Sequence, residues 1–339
     1  MLQKNKTTIN YLAFEFIQDC NLSCQYCYNI WKSPNAEYPN LKTNYKAAIK
    51  TLKQIYRQAN VNHLTFTGGE PMLFQRLEEL ILYVRKKGTQ VNLITNGTFP
   101  DPIRFKNISE LGVQAVEFTL NHFRPEIHEQ LNGHKGSYFL TLTSIDIFKK
   151  LKSNVVISVI LNKQNIDDIE ETIRFIHNLG IKRIMLNRFN IGGAGIESRN
   201  NLEISKEQLN KAFSKVNQIA AELNLQVYSA ITTPLCVLDP IHYTNIKFSK
   251  CSDKIENKIL TMDISGNIRI CNHSPSVLGN IYDENIKDIL NKENAGCWNH
   301  AVPAFCSKCK LFNECHGGCR AAAEQVYQSV NQPDPVVFQ

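Results

Sequence analysis

Three thiols fall within eight residues at Cys20, Cys24 and Cys27, in the run DCNLSCQYCYN (19–29), and no fourth cysteine lies nearby. A closed structural metal site takes four protein ligands, so a triplet describes a site with one coordination position left open. The plainer alternatives are a structural zinc site or inert buried thiols. A second stretch with chemical content is TGGEP (67–71). Its Gly68 and Gly69 admit close approach to the backbone, Glu70 can accept from an ammonium group, and Pro71 stiffens the exit toward a helix predicted near Leu73. Alone, this stretch is also what a tight turn with an exposed acid looks like.

These residues need a scaffold, and 339 residues can bury a sizeable core, as one large domain or one large and one small. Apolar runs of strand length, YLAFEFI, HLTFTG, VNLIT, AVEFTL, VVISVIL and RIMLN, alternate with segments of helical period. After Asn44, the positions Tyr45, Ala48, Ile49, Leu52, Ile55, Tyr56 and Ala59 share one helical face. Another helix is predicted from Asn165 as N-cap, with Asp167 and Asp168 in its first turn, through Ile169, Ile173 and Ile176 to Gly180 as its stop. About six repeats of strand and helix predict a parallel α/β sheet, open or curved into a partial barrel, with ligands at the C-terminal ends of the strands. Both motifs leave such ends.

The formal charge of +7 is spread along helix faces with acids between, which reads as solvated surface rather than a nucleic-acid site. The first ten residues lack an apolar signal core, and no apolar run nears the roughly 20 residues of a membrane span, so a cytoplasmic protein is expected. There disulfides do not persist, and eleven cysteines at short spacings point to metal or redox chemistry.

Cys20-x3-Cys24-x2-Cys27, with Tyr26 before the last cysteine and GGEP after the next strand, closely resembles the radical S-adenosylmethionine (SAM) enzymes over nearly the whole chain. The resemblance implies a partial (β/α)6 TIM-like barrel in which Cys20, Cys24 and Cys27 hold a [4Fe-4S] cluster whose fourth iron binds SAM. It further implies reductive cleavage of SAM to methionine and a 5'-deoxyadenosyl radical, with flavodoxin or ferredoxin as the kind of electron donor. Gly68, Gly69, Glu70 and Pro71 would serve the methionyl amino group, and Tyr26 would sit near the adenine. Position at strand ends adds Thr95, Asn96, Thr119, Asn121 and Asn187, the last with GGAG (192–195), as SAM contacts or equally as polar caps of turns. One departure is TLNH, where relatives often read SLDG.

After the capping box Ser205-Lys-Glu-Gln208, the alternation is expected to give way to an irregular, cysteine-rich region. Cys251-x14-Gly266-x4-Cys271 and Cys306-x2-Cys309-x5-Cys315-x3-Cys319 resemble the SPASM extension of radical SAM enzymes that modify peptides and proteins. Residues 1–230 and 231–339 are therefore expected to form the barrel and SPASM domains. The resemblance assigns one or two auxiliary [4Fe-4S] clusters, with Cys251, Cys271 and Cys319 serving the first and Cys306, Cys309 and Cys315 the second. A zinc ribbon is the alternative. Relatives commonly end with Asp-Pro-x-Cys, where this chain has Asp334-Pro335-Val336-Val337, so the second cluster would use Cys297, His316 or Asp334, keep an open iron, or not assemble. Cys297, beside Trp298, is a ligand or core packing. Cys236, between Leu235 and Val237, is a small buried hydrophobe or a thiol that donates hydrogen to a substrate radical.

The resemblance implies a peptide or protein substrate. Sulfatase maturases carry an Asp after the cysteine matching Cys271, where this chain has Asn272, which cannot act as a base. The runner-up is a porphyrin side chain, on the likeness of Gly317-Gly318-Cys319-Arg320-Ala321 to the C-terminal GGCRA of porphyrin-modifying relatives. Only 19 residues precede Cys20, too few for a peptide-recognition domain, so a separate protein or the barrel and SPASM surfaces would read a leader. A non-catalytic electron-transfer protein is the reading from another class, and the intact GGEP argues against it.

Overall fold

The computed structural model describes residues 6–34, 36–252, 254–292 and 301–339, so the candidate ligand Cys297 lies outside the described residues. The strands are β1 (Thr7–Ile17), β2 (Ala59–Gly68), β3 (Gln90–Thr95), β4 (Ala115–Thr119), β5 (Val155–Leu161), β6 (Arg183–Arg188), β7 (Gln226–Ser229), β8 (Ile246–Phe248), β9 (Ile259–Asp263), β10 (Asn267–Arg269) and β11 (Val277–Asn280). They form one open sheet in the order β11-β10-β9-β1-β2-β3-β4-β5-β6-β7-β8. From β1 to β8 each strand pairs parallel with the next, the topology of a partial barrel, and each of the six apolar runs falls on one of β1 to β6. Leu12 to Ile17 of β1 are all buried, as a parallel strand covered on both faces requires.

The connecting helices include α1 (Tyr45–Gln58), α2 (Leu77–Arg85), α3 (Pro102–Glu110), α4 (Pro125–Asn132), α5 (Ser137–Lys150), α6 (Ile169–Asn178), α7 (Arg199–Leu202) and α8 (Lys206–Glu222). Asn44 caps α1 by accepting from the Ala47 N–H, and Ala48, Leu52, Ile55 and Tyr56 face the core. Ala59, expected on that face, opens β2 instead, because the chain turns extended directly at the end of α1. The helix expected near Leu73 begins at Leu77. Pro71–Leu73 forms a 3-10 turn, held by the Arg104 guanidinium donating to the Met72 and Phe74 carbonyls at 2.7 and 2.8 Å. Asn165 does not cap α6, which starts after Asp168; its amide donates to the Asn121 and Ile160 carbonyls at 3.0 and 2.9 Å. Those two bonds join the exits of β4 and β5. The capping box on α8 forms in both directions.

The expected end of the alternation after α8 does not hold for the sheet. The chain adds β7 and β8 at one edge and then returns to the other, where β9 lies parallel beside β1 and β10 and β11 follow antiparallel. These late strands are three to five residues long, too short to show a period. Two ion pairs with both side chains buried, Glu15 with Arg269 and Arg188 with Asp334, tie the returning chain to β1 and to the exit of β6. Among the described residues no helix is long and apolar enough to cross a membrane.

Candidate functional site

Cys20, Cys24 and Cys27 lie together in the loop leaving β1, and the end of α4 and the exit of β6 fix that loop. At the end of α4, Ser23 N–H donates to Asn132 O at 3.1 Å and Gln25 N–H to Leu131 O at 2.9 Å. From the glycine run beyond β6, Gly195 N–H donates to Cys27 O at 3.3 Å. Gly193, at φ +52°, sits so close that a Cβ would stand 2.5 Å from Cys27 O, so the thiol loop itself demands glycine there. Around the sulfurs, Leu22 N–H and Asn96 Nδ2 lie 3.5 and 3.9 Å from Cys20 Sγ. Cys24 Sγ lies 3.9 Å from Asn132 Oδ1, which also accepts from the Tyr26 hydroxyl at 2.5 Å.

Burial, then the neighbouring Cys27, push the Cys24 thiol up to about 12, and burial likewise raises Cys20 and Cys27. Lys32 is a nearby cation that opposes the shift. Neighbouring buried thiols of this kind release their protons only to a strong cation, and three soft donors with no fourth fit an iron-sulfur cluster that keeps an open position. Among the described residues no three His, Cys, Asp or Glu side chains stand in the geometry that holds a single metal ion.

Glu70 is buried, not an exposed turn acid. Its Oε1 accepts from Met72 N–H at 2.8 Å and the Thr95 hydroxyl at 2.6 Å, and its Oε2 accepts from Asn96 N–H at 2.7 Å. One carboxylate thus clamps the exit of β2 to that of β3, and Asn96 passes the clamp on to Cys20. The glycines before it have a structural cause. A Cβ on Gly68 would stand 2.1 Å from Ile17 O and one on Gly69 2.1 Å from Asp19 O, so the close approach they permit is that of the β1 exit. Oε2 takes a single donor in this clamp, and a carboxylate offers about four lone-pair sites in all.

The remaining strand-end candidates are distributed among β4 and β6. Thr119 is half-buried at the end of β4. Asn121 is fully buried, with Oδ1 accepting from Ile160 N–H at 2.9 Å, and its Nδ2 has no hydrogen-bond partner among the described residues. Asn187 accepts from Ala230 N–H at 2.8 Å and so ties the exit of β6 to that of β7. Sequence reasoning missed Asn132 and His128. Asn132 lies 2.7 Å from His128 Nε2, and His128 Nδ1 accepts from Asn121 N–H at 3.3 Å. Burial, then the nearby His122, lower His128 to about 4. The available signal was their four-residue spacing, which places both on one buried face of α4.

Among the C-terminal thiols, Cys251, Cys271 and Cys319 are neighbours. Lys258 Nζ lies 3.3 Å from Cys251 Sγ, His273 N–H 3.4 Å from Cys271 Sγ, and Asn190 Nδ2 3.4 Å from Cys319 Sγ. Burial and then Cys319 push Cys271 up to about 12, while burial and Asp334 take Cys319 to about 11. This group adjoins the first cysteine loop, because the Tyr28 ring stacks on His273 at 3.9 Å and the Tyr28 hydroxyl accepts from Asn272 Nδ2 at 3.0 Å. Cys306, Cys309 and Cys315 form a second group, with Cys306 buried and Cys309 exposed. Cys236 is exposed and so is not the small buried hydrophobe its neighbours suggested; Val237 and Leu238 turn into the core and leave it outward. Asp334 is also removed as a free ligand. Its carboxylate pairs with Arg188 and accepts from Cys319 N–H at 2.7 Å and Val336 N–H at 3.1 Å. None of the described cysteines is in a disulfide.

Residues 14–176 match the radical SAM superfamily. The chain is 25% identical to Fe-coproporphyrin III synthase of Methanosarcina barkeri (strain Fusaro / DSM 804), over 100% of this chain and 90% of that protein. It is 22% identical to PqqA peptide cyclase of Gluconobacter oxydans (strain 621H), over 96% of this chain and 89% of that protein. The solved structure of native anSMEcpe with bound AdoMet and Cp18Cys peptide shares the fold, with a TM-score of 0.73 at 20% identity, over 98% of this chain and 94% of that one. With its thiol loop leaving the first strand of that shared fold, this chain carries a radical SAM domain at residues 14–176.

Proposed function

We propose that Cys20, Cys24 and Cys27 hold a [4Fe-4S] cluster, that SAM binds beside it, and that the enzyme abstracts hydrogen from a residue of a peptide or protein. The observation that carries this reading is the buried clamp from Glu70 through Thr95 and Asn96 to Cys20, which joins the two motifs into one site. When bound, such a cluster supplies one electron to the sulfonium of SAM, yielding methionine and a 5'-deoxyadenosyl radical. The chain's own residues orient and enclose. Gly68, Gly69, Glu70 and Pro71 receive the methionyl amino group, Tyr26 borders the adenine, and Thr95, Asn96, Thr119 and Asn187 complete the SAM contacts. The unpartnered Nδ2 of Asn121 is a buried donor of the kind a ligand oxygen satisfies.

Residues 1–230 form the SAM-binding barrel and 231–339 a SPASM domain with one or two auxiliary [4Fe-4S] clusters. The peptide-bound neighbour and the peptide cyclase relative support a peptide substrate. A flavodoxin or ferredoxin serves as electron donor, a separate protein or the barrel and SPASM surfaces read any leader, and the unbridged described thiols suit a cytoplasmic setting. A second reading, a porphyrin side chain, is favoured by the 25% identity to an Fe-coproporphyrin III synthase over the whole chain.

Anaerobically reconstituted protein given SAM and a strong reductant should form 5'-deoxyadenosine. The Cys20→Ala/Cys24→Ala/Cys27→Ala variant should not, while keeping iron at its other thiols; product from that variant would sink the assignment. Deuterium transfer into 5'-deoxyadenosine from a labelled peptide, or instead from a labelled porphyrin, separates the two substrates.

A further inference from the structure

The chain lacks a cysteine at position 337, and the structure offers one elsewhere. The turn after β7 lies against the C-terminal cysteine loop: Leu235 N–H donates to Cys315 Sγ at 3.4 Å, and Pro234 sits so near Gly318 that a Cβ there would stand 2.5 Å from its Cγ. Cys236 is therefore one residue from a backbone group already bonded to a sulfur of that loop. Its thiol lies near those of Cys315 and Cys309, and Cys306 in turn lies near Cys315, Cys309 and Cys236. The Arg320 guanidinium is buried and lies close to Cys306 and Cys315.

Among the described residues the other substitutes are weaker. Asp334 is committed to Arg188 and two backbone N–H groups, and His316 turns its ring edge-on to Phe312. Val337 is half-buried against the core, held by its N–H to Asp334 O at 3.0 Å.

We propose that Cys236 is the fourth thiolate of the site made by Cys306, Cys309 and Cys315, so that this site closes on four cysteines without any ligand at position 337. This rests on the iron-sulfur reading of the C-terminal cysteines. It assigns Cys236 to a metal rather than to hydrogen donation. It also leaves Cys251, Cys271 and Cys319, beside Tyr28 and His273, as the auxiliary group with three thiolates and an exchangeable position.

Two measurements test it on the full chain. First, anaerobically reconstituted and metal-free protein are treated with iodoacetamide and the modified cysteines mapped by mass spectrometry. Cys236, exposed without metal, should become protected on loading together with Cys306, Cys309 and Cys315. Equal alkylation of Cys236 in both forms, with the other three protected, overturns the proposal. Second, in the Cys20→Ala/Cys24→Ala/Cys27→Ala background the auxiliary sites should hold about eight irons, and adding Cys236→Ala should remove about four or convert that cluster to a three-iron form seen by electron paramagnetic resonance. Full iron with Cys236→Ala overturns it, while loss on Cys297→Ala instead would transfer the role to that residue. A background that holds no iron before Cys236 is touched would defeat the auxiliary-cluster reading, and the proposal with it. If Cys236→Ala fails to fold, the alkylation map of the unaltered chain still decides.

Discussion

Glu70 holds three donors with one buried carboxylate, and Glu70→Gln replaces one acceptor oxygen with an NH2 group that must face a donor. At least one buried N–H or O–H then loses its partner, and stability should fall by about 1–3 kcal/mol, measured by denaturant unfolding without SAM. SAM affinity should weaken roughly ten- to a hundredfold if the lost charge also meets the methionyl ammonium. Reduced stability with unchanged SAM affinity would confine Glu70 to the clamp. His128 gives a pH signature. Folded, it stays neutral down to about 4, whereas the unfolded chain takes up that proton near 6.5. Between those values the unfolded state binds more protons, so stability falls as pH drops through the window and is complete above it. His128→Gln should flatten that part of the stability curve, and an unaltered slope would show that the imidazole titrates alike in both states.

The sheet and the thiol loop meet where β1 and β2 end, and Gly69 decides how closely. A methyl group there would stand 2.1 Å from Asp19 O, a backbone atom next to Cys20, so Gly69→Ala must push the two exits apart. Iron content and its visible absorption should drop sharply. Gly88→Ala is the control: φ is +82° and nothing lies within 4 Å, so only the left-handed strain of about 1–2 kcal/mol is expected, with normal iron loading. Equal loading of the two variants would mean that the loop tolerates the displacement. Elements such as β1 to β6 and α1 were legible in the sequence because burial on one or both faces writes a period into successive residues. The clamp was not, since Glu70 reaches Thr95 and Asn96 across 25 and 26 residues and no local pattern records which carboxylate finds which loop. Asn165 misled for a related reason: a polar side chain before a helix is equally suited to capping or to bridging two strand exits. Likewise spacing marks Cys24 as a candidate ligand, but the Asn132 oxygen beside it comes from a helix end more than a hundred residues on.

At the scale of the whole molecule, the C-terminal region is held against the barrel by charge as well as by strand pairing. β9 pairs with β1 from Tyr11↔Ile259 to Glu15↔Asp263, and Arg269, at the end of β10, pairs with Glu15 of β1 while donating to the carbonyls of Asn272 and Ser274 at 3.2 and 2.7 Å. The same guanidinium therefore fixes both β1, which leads to Cys20, and the turn after Cys271. Both partners are buried, so Glu15→Gln leaves a cation without a counter-charge, and removing one member of such a pair costs about 3–5 kcal/mol. Arg269→Met should cost a similar amount, because it strands the carboxylate and the two carbonyls. Combining them removes both charges together, so the double variant should lose less than the sum of the singles by about 0.5–3 kcal/mol. Denaturant unfolding of the four proteins that make up this cycle measures the coupling. Additive losses would mean that the returning strands are held by hydrogen-bonded pairing and apolar contact alone.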